Sequence, residues 1–177
     1  MRSSPRWRPV TEGWPLLLPL VATGLAGIRA FPRLAPLLLL AAGALALTFR
    51  DPERQVHPQP DVALSPADGR VLHIARVWDE YWQAELVEIG IFLALWDVHV
   101  QRAPLDGEVV AQRRRNGGYH PAMTRAAAEA NNQLATYLQT AFGPCVVTQI
   151  SGLVARRIVN WTPPGTRLAQ GDRLGMI

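Results

Sequence analysis

Phe92-Leu93-Ala94-Leu95-Trp96-Asp97-Val98-His99-Val100-Gln101-Arg102-Ala103-Pro104-Leu105-Asp106-Gly107-Glu108-Val109-Val110 decides how the rest of the chain is read. An apolar run leads into Asp97, His99 and Arg102, and the turn Pro104 to Gly107 leads out into a second apolar run. Strand, polar cluster, turn, strand is how a β scaffold carries chemistry at its rim. Alternate residues of a strand share a face, so a strand here would put Asp97 and His99 side by side. An Asp in that place orients the imidazole or tunes its pKa; a structural His beside a solvated Asp fits the same pattern.

Outward from this stretch, the soluble part reads as Ser65 to the end and mostly β. Strands are predicted at Gly69–Val77, Ala84–Leu93, Gly107–Ala111, Cys145–Ile150, Leu153–Val159 and Arg173–Ile177. Turn signals separate them at Asp68-Gly69, Asp106-Gly107, Pro163-Pro164-Gly165 and Gly171-Asp172. Pro121 to Gln139, rich in alanine and long side chains, predicts the one helix. The expected fold is mainly β (α+β), a small barrel-like β sandwich with one helix.

Residues 1–49 differ in kind. Two uncharged runs, Trp14 to Ile28 and Leu34 to Phe49, flank Arg29-Ala30-Phe31-Pro32-Arg33. Each is shorter than the ~20 residues of a comfortable membrane span. They predict a membrane-anchoring helical hairpin with Pro32 at its tip, spanning the bilayer or lying on it. Arg2, Arg6 and Arg8 before it and Arg50 and Arg54 after it place the soluble domain on the cytoplasmic face of the cell membrane. A cleaved signal peptide is the competing reading, and the second apolar run argues against it. Residues 50–64, polar and proline-rich, read as a linker.

Composition narrows the function. All 18 basic residues are arginine, which excludes Schiff-base lysine catalysis, lipoyl or biotinyl attachment and a Walker A lysine. A net charge of +4 and a pI near 10.2 ask for an anionic partner. Without a nucleic-acid motif, that partner is expected to be acidic lipid, with no nucleic acid. The single cysteine, Cys145, reads as a buried bystander. The four histidines and Cys145 show no metal-ligand spacing, so no metal is expected. His57, His73 and His120 have no acid or base partner close in sequence. Arg156-Arg157, inside a predicted strand, would point to opposite faces. The inward one would need Asp68, Glu88 or a ligand anion, while a solvated edge strand fits equally well.

Five stretches in order resemble the phosphatidylserine decarboxylase family, in its short bacterial and archaeal branch. They are Phe49-Arg50-Asp51-Pro52-Glu53-Arg54, Ser65-Pro66-Ala67-Asp68-Gly69-Arg70-Val71, Ile91 through Asp97-Val98-His99 to Pro104, Gln149-Ile150-Ser151-Gly152-Leu153-Val154-Ala155-Arg156-Arg157-Ile158-Val159, and Gly171-Asp172-Arg173-Leu174-Gly175-Met176-Ile177. The resemblance implies a membrane zymogen of phospholipid biosynthesis. Such a proenzyme cuts itself before a serine, which becomes a covalent pyruvoyl cofactor, and turns phosphatidylserine into phosphatidylethanolamine and CO2. By motif, Asp68 matches the acid that assists self-cleavage and His99 the histidine that handles protons. Arg102, Arg156 and Arg157 are taken as substrate-binding.

Departures from the family pattern are Arg102, where the longer branch has a second histidine, Asn131-Asn132-Gln133 in place of Asn-Glu-Arg, and Gly118 in place of lysine. No Gly-Ser pair occurs, and Ser3, Ser4, Ser65 and Ser151 lie in other contexts. The pyruvoyl-forming serine is therefore expected beyond Ile177, on a C-terminal α-chain segment. These 177 residues are expected to be an incomplete β-chain part, inactive alone. A homodimer is a further expected partner. Phosphatidylserine and its archaeal ether-lipid counterpart fit the sequence alike. The alternative is a membrane-tethered, non-catalytic binding or adaptor module with a lipoyl-like β domain.

Overall fold

Pro15 and Pro36 each stand in the first turn of a helix, where the missing N–H costs nothing. The computed structural model, which describes residues 10–56 and 61–177, has α1 at Trp14–Ala30 and α2 at Ala35–Thr48. A 3-10 turn at Thr11–Gly13 precedes α1. The helices pack as a hairpin, and glycines of α1 let them approach. A Cβ on Gly24 would lie 2.8 Å from Leu39 Cδ2, and one on Gly27 would lie 3.8 Å from Ala35 Cβ. Thr11–Ala30, at 20 residues, is long and apolar enough to cross a membrane; Ala35–Thr48 is apolar but shorter. The helical run starts three residues ahead of Trp14, which makes it longer than the sequence reading allows.

Two compact units are formed. One takes the residues up to Arg54 together with Leu95–His99; the other takes Gln55–Ala94 and Val100–Ile177. The described residues thus return to the hairpin's unit for one short segment in mid-chain. Residues 57–60 of the linker, His57 among them, and Arg2, Arg6 and Arg8 lie outside the described residues.

The second unit is mainly β, with sheets curled into a half-barrel. Its strands are β1 (Arg70–Asp79), β2 (Ala84–Phe92), β3 (Val100–Arg102), β4 (Gly107–Arg115), β5 (Gln133–Thr140), β6 (Gly143–Ile150), β7 (Val159–Asn160), β8 (Arg167–Leu168) and β9 (Arg173–Met176). They form a β1-β2 ribbon, a β3-β9-β7 sheet and a β6-β5-β4-β8 sheet. Ala103, Val109, Leu138, Val147, Leu168 and Leu174 form the core, with Cys145 packed against it. Burial pushes the Cys145 thiol above its usual pKa, which keeps it protonated and inert.

Three sequence expectations are corrected. Gln133–Thr140 is the strand β5, paired with both β4 and β6; only Arg125–Ala130 is helical, as α3. The Thr124 hydroxyl caps α3 by accepting from the Ala127 N–H at 3.2 Å. Asn131 then turns extended, and Leu134, Thr136 and Leu138 alternate into the interior. Tertiary pairing overrides the helix propensity of the alanine run.

Second, Leu153 to Ile158 is not a strand, and only Val159–Asn160 is extended and paired. The segment bonds to itself instead: Gly152 N–H reaches the Ala155 carbonyl at 2.8 Å, and Arg156 Nε reaches the Leu153 carbonyl at 2.8 Å. Third, Asp97 and His99 share no strand face. β2 ends at Phe92, and β3 starts only at Val100.

Candidate active site

His99 is buried, with 3% of its surface exposed. Its Nδ1 lies 2.9 Å from the backbone carbonyl of Asp97. A carbonyl only accepts, so Nδ1 carries the proton and Nε2 carries the lone pair. Burial pushes the imidazole below its usual pKa of 6.5, and the nearby Arg50 charge adds to this. The Asp97 carbonyl bond and the Asp97 charge oppose it. At neutral pH the ring is therefore neutral, in one tautomer, and able to take a proton at Nε2.

The segment carrying His99 is held by the foot of the hairpin. Thr48 Oγ1 donates to the Leu95 carbonyl at 3.0 Å. Arg50 donates to the Leu47 carbonyl from Nη1 at 2.8 Å and to the Trp96 carbonyl from Nη2 at 2.7 Å. One guanidinium thus ties the last turn of α2 to Leu95–His99.

Asp68 lies in the second unit, in the turn that opens β1. Gly69, at φ +138°, makes that turn, and a Cβ there would strike the Phe92 carbonyl oxygen. The Ser65 hydroxyl donates to the Ala67 carbonyl at 2.7 Å. The Arg102 N–H donates to the Pro66 carbonyl at 2.8 Å, fixing the Asp68 turn to β3. Arg102 Nη1 donates to the Gly171 carbonyl at 2.9 Å. The structure thus brings Arg102 to the Asp68 turn.

Between β3 and β7 runs β9, with Met176 opposite Val100 on one side and Val159 on the other. His99 precedes Val100 in the chain, and Arg157-Ile158 precede Val159. Both antiparallel neighbours therefore lead, from Met176 onward, toward residues the family motifs single out. A buried amide network supports this sheet. Gln149 Nε2 donates to Gln101 Oε1 at 2.9 Å, and Asn160 Nδ2 donates to Thr136 Oγ1 at 3.0 Å and to Gln149 Oε1 at 3.2 Å. Among the described residues, the Gln101 Nε2 donor is buried without a partner. A buried orphan donor is costly, and a carbonyl-bearing group would satisfy it. A pyruvoyl group, two carbonyls in a row, fits that requirement.

Arg156 and Arg157 come together at a cavity of about 440 Å3, lined also by Arg114, Asn116, Tyr119, Asn132 and Ile158. Arg102 is not among its lining residues. Arg114 comes from β4. The Arg156 guanidinium sits over the Tyr119 ring, 5.4 Å from its centroid. Among the described residues, none of these three arginines has an ion-pair partner. Asp68 and Glu88, the sequence candidates for an inward arginine, do not fill that role. Glu88 meets His73 at 2.8 Å and Arg125 at 3.6 Å. Asn131, fully buried, anchors the cavity's loops. It accepts from the His120 N–H at 2.7 Å and donates to the carbonyls of His120 and Ser151, each at 2.8 Å.

Sequence reasoning missed Arg50, Arg114, Gln101 and Gln149 as site residues. Arg50 flanks the hairpin and stands inside the family-like stretch Phe49 to Arg54, but the sequence reading gives it no role in the site. Arg114 belongs to the run Arg113-Arg114-Arg115, which has no signal of its own. The glutamines lie in two of the family-like stretches, but their role shows only once their strands are paired.

Among known families, the model of phosphatidylserine decarboxylase matches residues 42–177. A phosphatidylserine decarboxylase proenzyme of Burkholderia multivorans is 34% identical over 169 residues, covering 94% of this chain and 78% of the relative. Proenzymes of Burkholderia ambifaria and Aromatoleum aromaticum are 36% and 37% identical over the same shares.

Proposed function

Because the chain belongs to the phosphatidylserine decarboxylase family, a family of carboxy-lyases, we propose that it forms the β-chain part of an enzyme converting phosphatidylserine to phosphatidylethanolamine and CO2. The non-catalytic adaptor reading gives way to this membership. The observation that carries the mechanism is His99: a buried, neutral imidazole with its tautomer fixed by the Asp97 carbonyl.

A pyruvoyl group supplies a carbonyl that holds the substrate amine and draws electrons as the carboxylate leaves. This chain's residues do the rest. His99 Nε2 takes up and returns the proton that must reach the substrate α-carbon once CO2 has left. Asp68, in a turn held by Arg102, assists the self-cleavage that makes the group. Arg156 and Arg157 bind the lipid phosphate, and Arg102, whose N–H holds the Asp68 turn and whose guanidinium meets the Gly171 carbonyl, adds to the substrate-binding charge. Gln101 Nε2 offers a donor for a carbonyl at the β3-β9 pair.

No Gly-Ser pair occurs in the 177 residues, so the serine is assigned to an α-chain segment following the register of β9. The hairpin holds the enzyme on the cytoplasmic face of the membrane, where the substrate resides, and the exposed sheet edges leave room for a homodimer.

The test is to carry the chain through a family-like Arg-Phe-Gly-Ser segment after Ile177 and follow its mass. Cleavage at the new Gly-Ser bond, lost in Asp68→Asn, supports the reading. A folded, uncut protein would contradict it.

A further inference from the structure

The loop Ser151 to Ile158 carries an exposed apolar tip that the proposed chemistry does not use. Leu153 and Val154 are 51% and 65% exposed at its tip, and Arg156-Arg157 follow immediately. Burying the two apolar side chains in a second protein surface would leave the three arginines of the cavity uncompensated. A bilayer of anionic lipid satisfies both halves at once. Its acyl boundary takes the apolar tip, and a phosphodiester takes the guanidinium charge. Tyr119, 41% exposed beneath Arg156, is the amphipathic ring that favours the headgroup level.

Local bonding makes the loop a formed structure. Ser151 is fully buried, and its N–H donates to the Asn132 carbonyl at 3.0 Å. The Gly152 and Arg156 bonds close the turn above it. Arg114 reaches the same cavity from β4. Three like charges sharing about 440 Å3 repel one another until an anion enters.

We propose that this loop is a second membrane contact of the protein: Leu153-Val154 enter the interface of an anionic bilayer while Arg114, Arg156 and Arg157 grip the phosphodiester of one lipid. This extends the assignment of Arg156 and Arg157 to the lipid phosphate and rests on that assignment, but not on decarboxylation.

The test places an environment-sensitive NBD label at Leu153→Cys in a Cys145→Ala background. The full chain is reconstituted in phosphatidylcholine vesicles with and without phosphatidylglycerol, a lipid with no carboxylate to lose. A second label at Phe142→Cys, on the β5-β6 turn, is the control. Phosphatidylglycerol is expected to brighten and blue-shift the Leu153 label and leave the Phe142 label unchanged. Each of Arg114→Gln, Arg156→Gln and Arg157→Gln should raise the phosphatidylglycerol content needed for half-response about fivefold.

Three results would overturn the proposal: no response at Leu153, an equal response at Phe142, or an equal response when inorganic phosphate replaces phosphatidylglycerol. Circular dichroism of each variant shows that the β domain is folded. Loss of self-cleavage with the label response intact would count against the enzymatic reading alone.

Discussion

Arg50 holds the carbonyl of Trp96 at 2.7 Å from Nη2 and that of Leu47 at 2.8 Å from Nη1. The apolar hairpin and the segment bearing His99 are thus fastened by one side chain. Its charge also helps keep the imidazole neutral. Replacing it with Gln removes both effects. In Arg50→Gln, the His99 Cε1–H resonance is expected to titrate at a higher pH than in the parent chain. Decarboxylation by the completed enzyme should fall about tenfold, the cost of ~1.4 kcal/mol in positioning. An unchanged titration would show that Arg50 does not tune the ring.

His99 also links stability to pH. Its folded pKa lies below the unfolded value of 6.5. Between the two, the unfolded chain binds the proton and the folded chain does not, so stability rises with pH through that window. The contribution is complete above pH 6.5 and shrinks as pH falls through 6.5 toward the folded pKa. Urea unfolding at a series of pH values should show this slope in the parent and lose it in His99→Gln. A slope that survives the substitution belongs to other groups.

Asn131, itself fully buried, closes three hydrogen bonds with one amide. Asn131→Ala leaves their backbone partners unpaired and should cost about 3 kcal/mol by chemical denaturation. The loop from Ser151 should loosen with it. A loss under ~1 kcal/mol would mean that water replaces the amide.

Gly69 makes the Asp68 turn at φ +138°, directly against the Phe92 carbonyl. Gly69→Ala should cost roughly 1–3 kcal/mol and slow self-cleavage in the completed chain by displacing Asp68. Cleavage at the parent rate in a folded Gly69→Ala protein would remove Asp68 from that step.

Much of this architecture is legible in local sequence. The apolar hairpin follows from its two uncharged runs, and the Asp68-Gly69 turn follows from the only residue type that tolerates its φ. β1, β2, β6 and β9 follow from their composition. What escapes is whatever depends on a partner. Gln133–Thr140 follows an alanine run and becomes a strand because β4 and β6 flank it. Arg156-Arg157 look like strand residues, yet no strand pairs with them. His99 looked oriented by the Asp97 carboxylate, two residues away on one strand face. The chain instead leaves its strand there, and the backbone carbonyl of the same residue accepts the hydrogen bond from the ring Nδ1–H. Five motifs in order identified the family where no single one did, because each is short but their succession is not accidental.

The central claim is that His99 moves the proton of decarboxylation. It is tested most directly by CO2 release from carboxyl-labelled phosphatidylserine, using the chain completed with a Gly-Ser segment. Parent and His99→Ala proteins are compared after each has been scored for self-cleavage. The expected result is cleaved His99→Ala protein with CO2 release reduced by about 100-fold or more. Cleaved His99→Ala protein that releases CO2 at the parent rate would contradict the account.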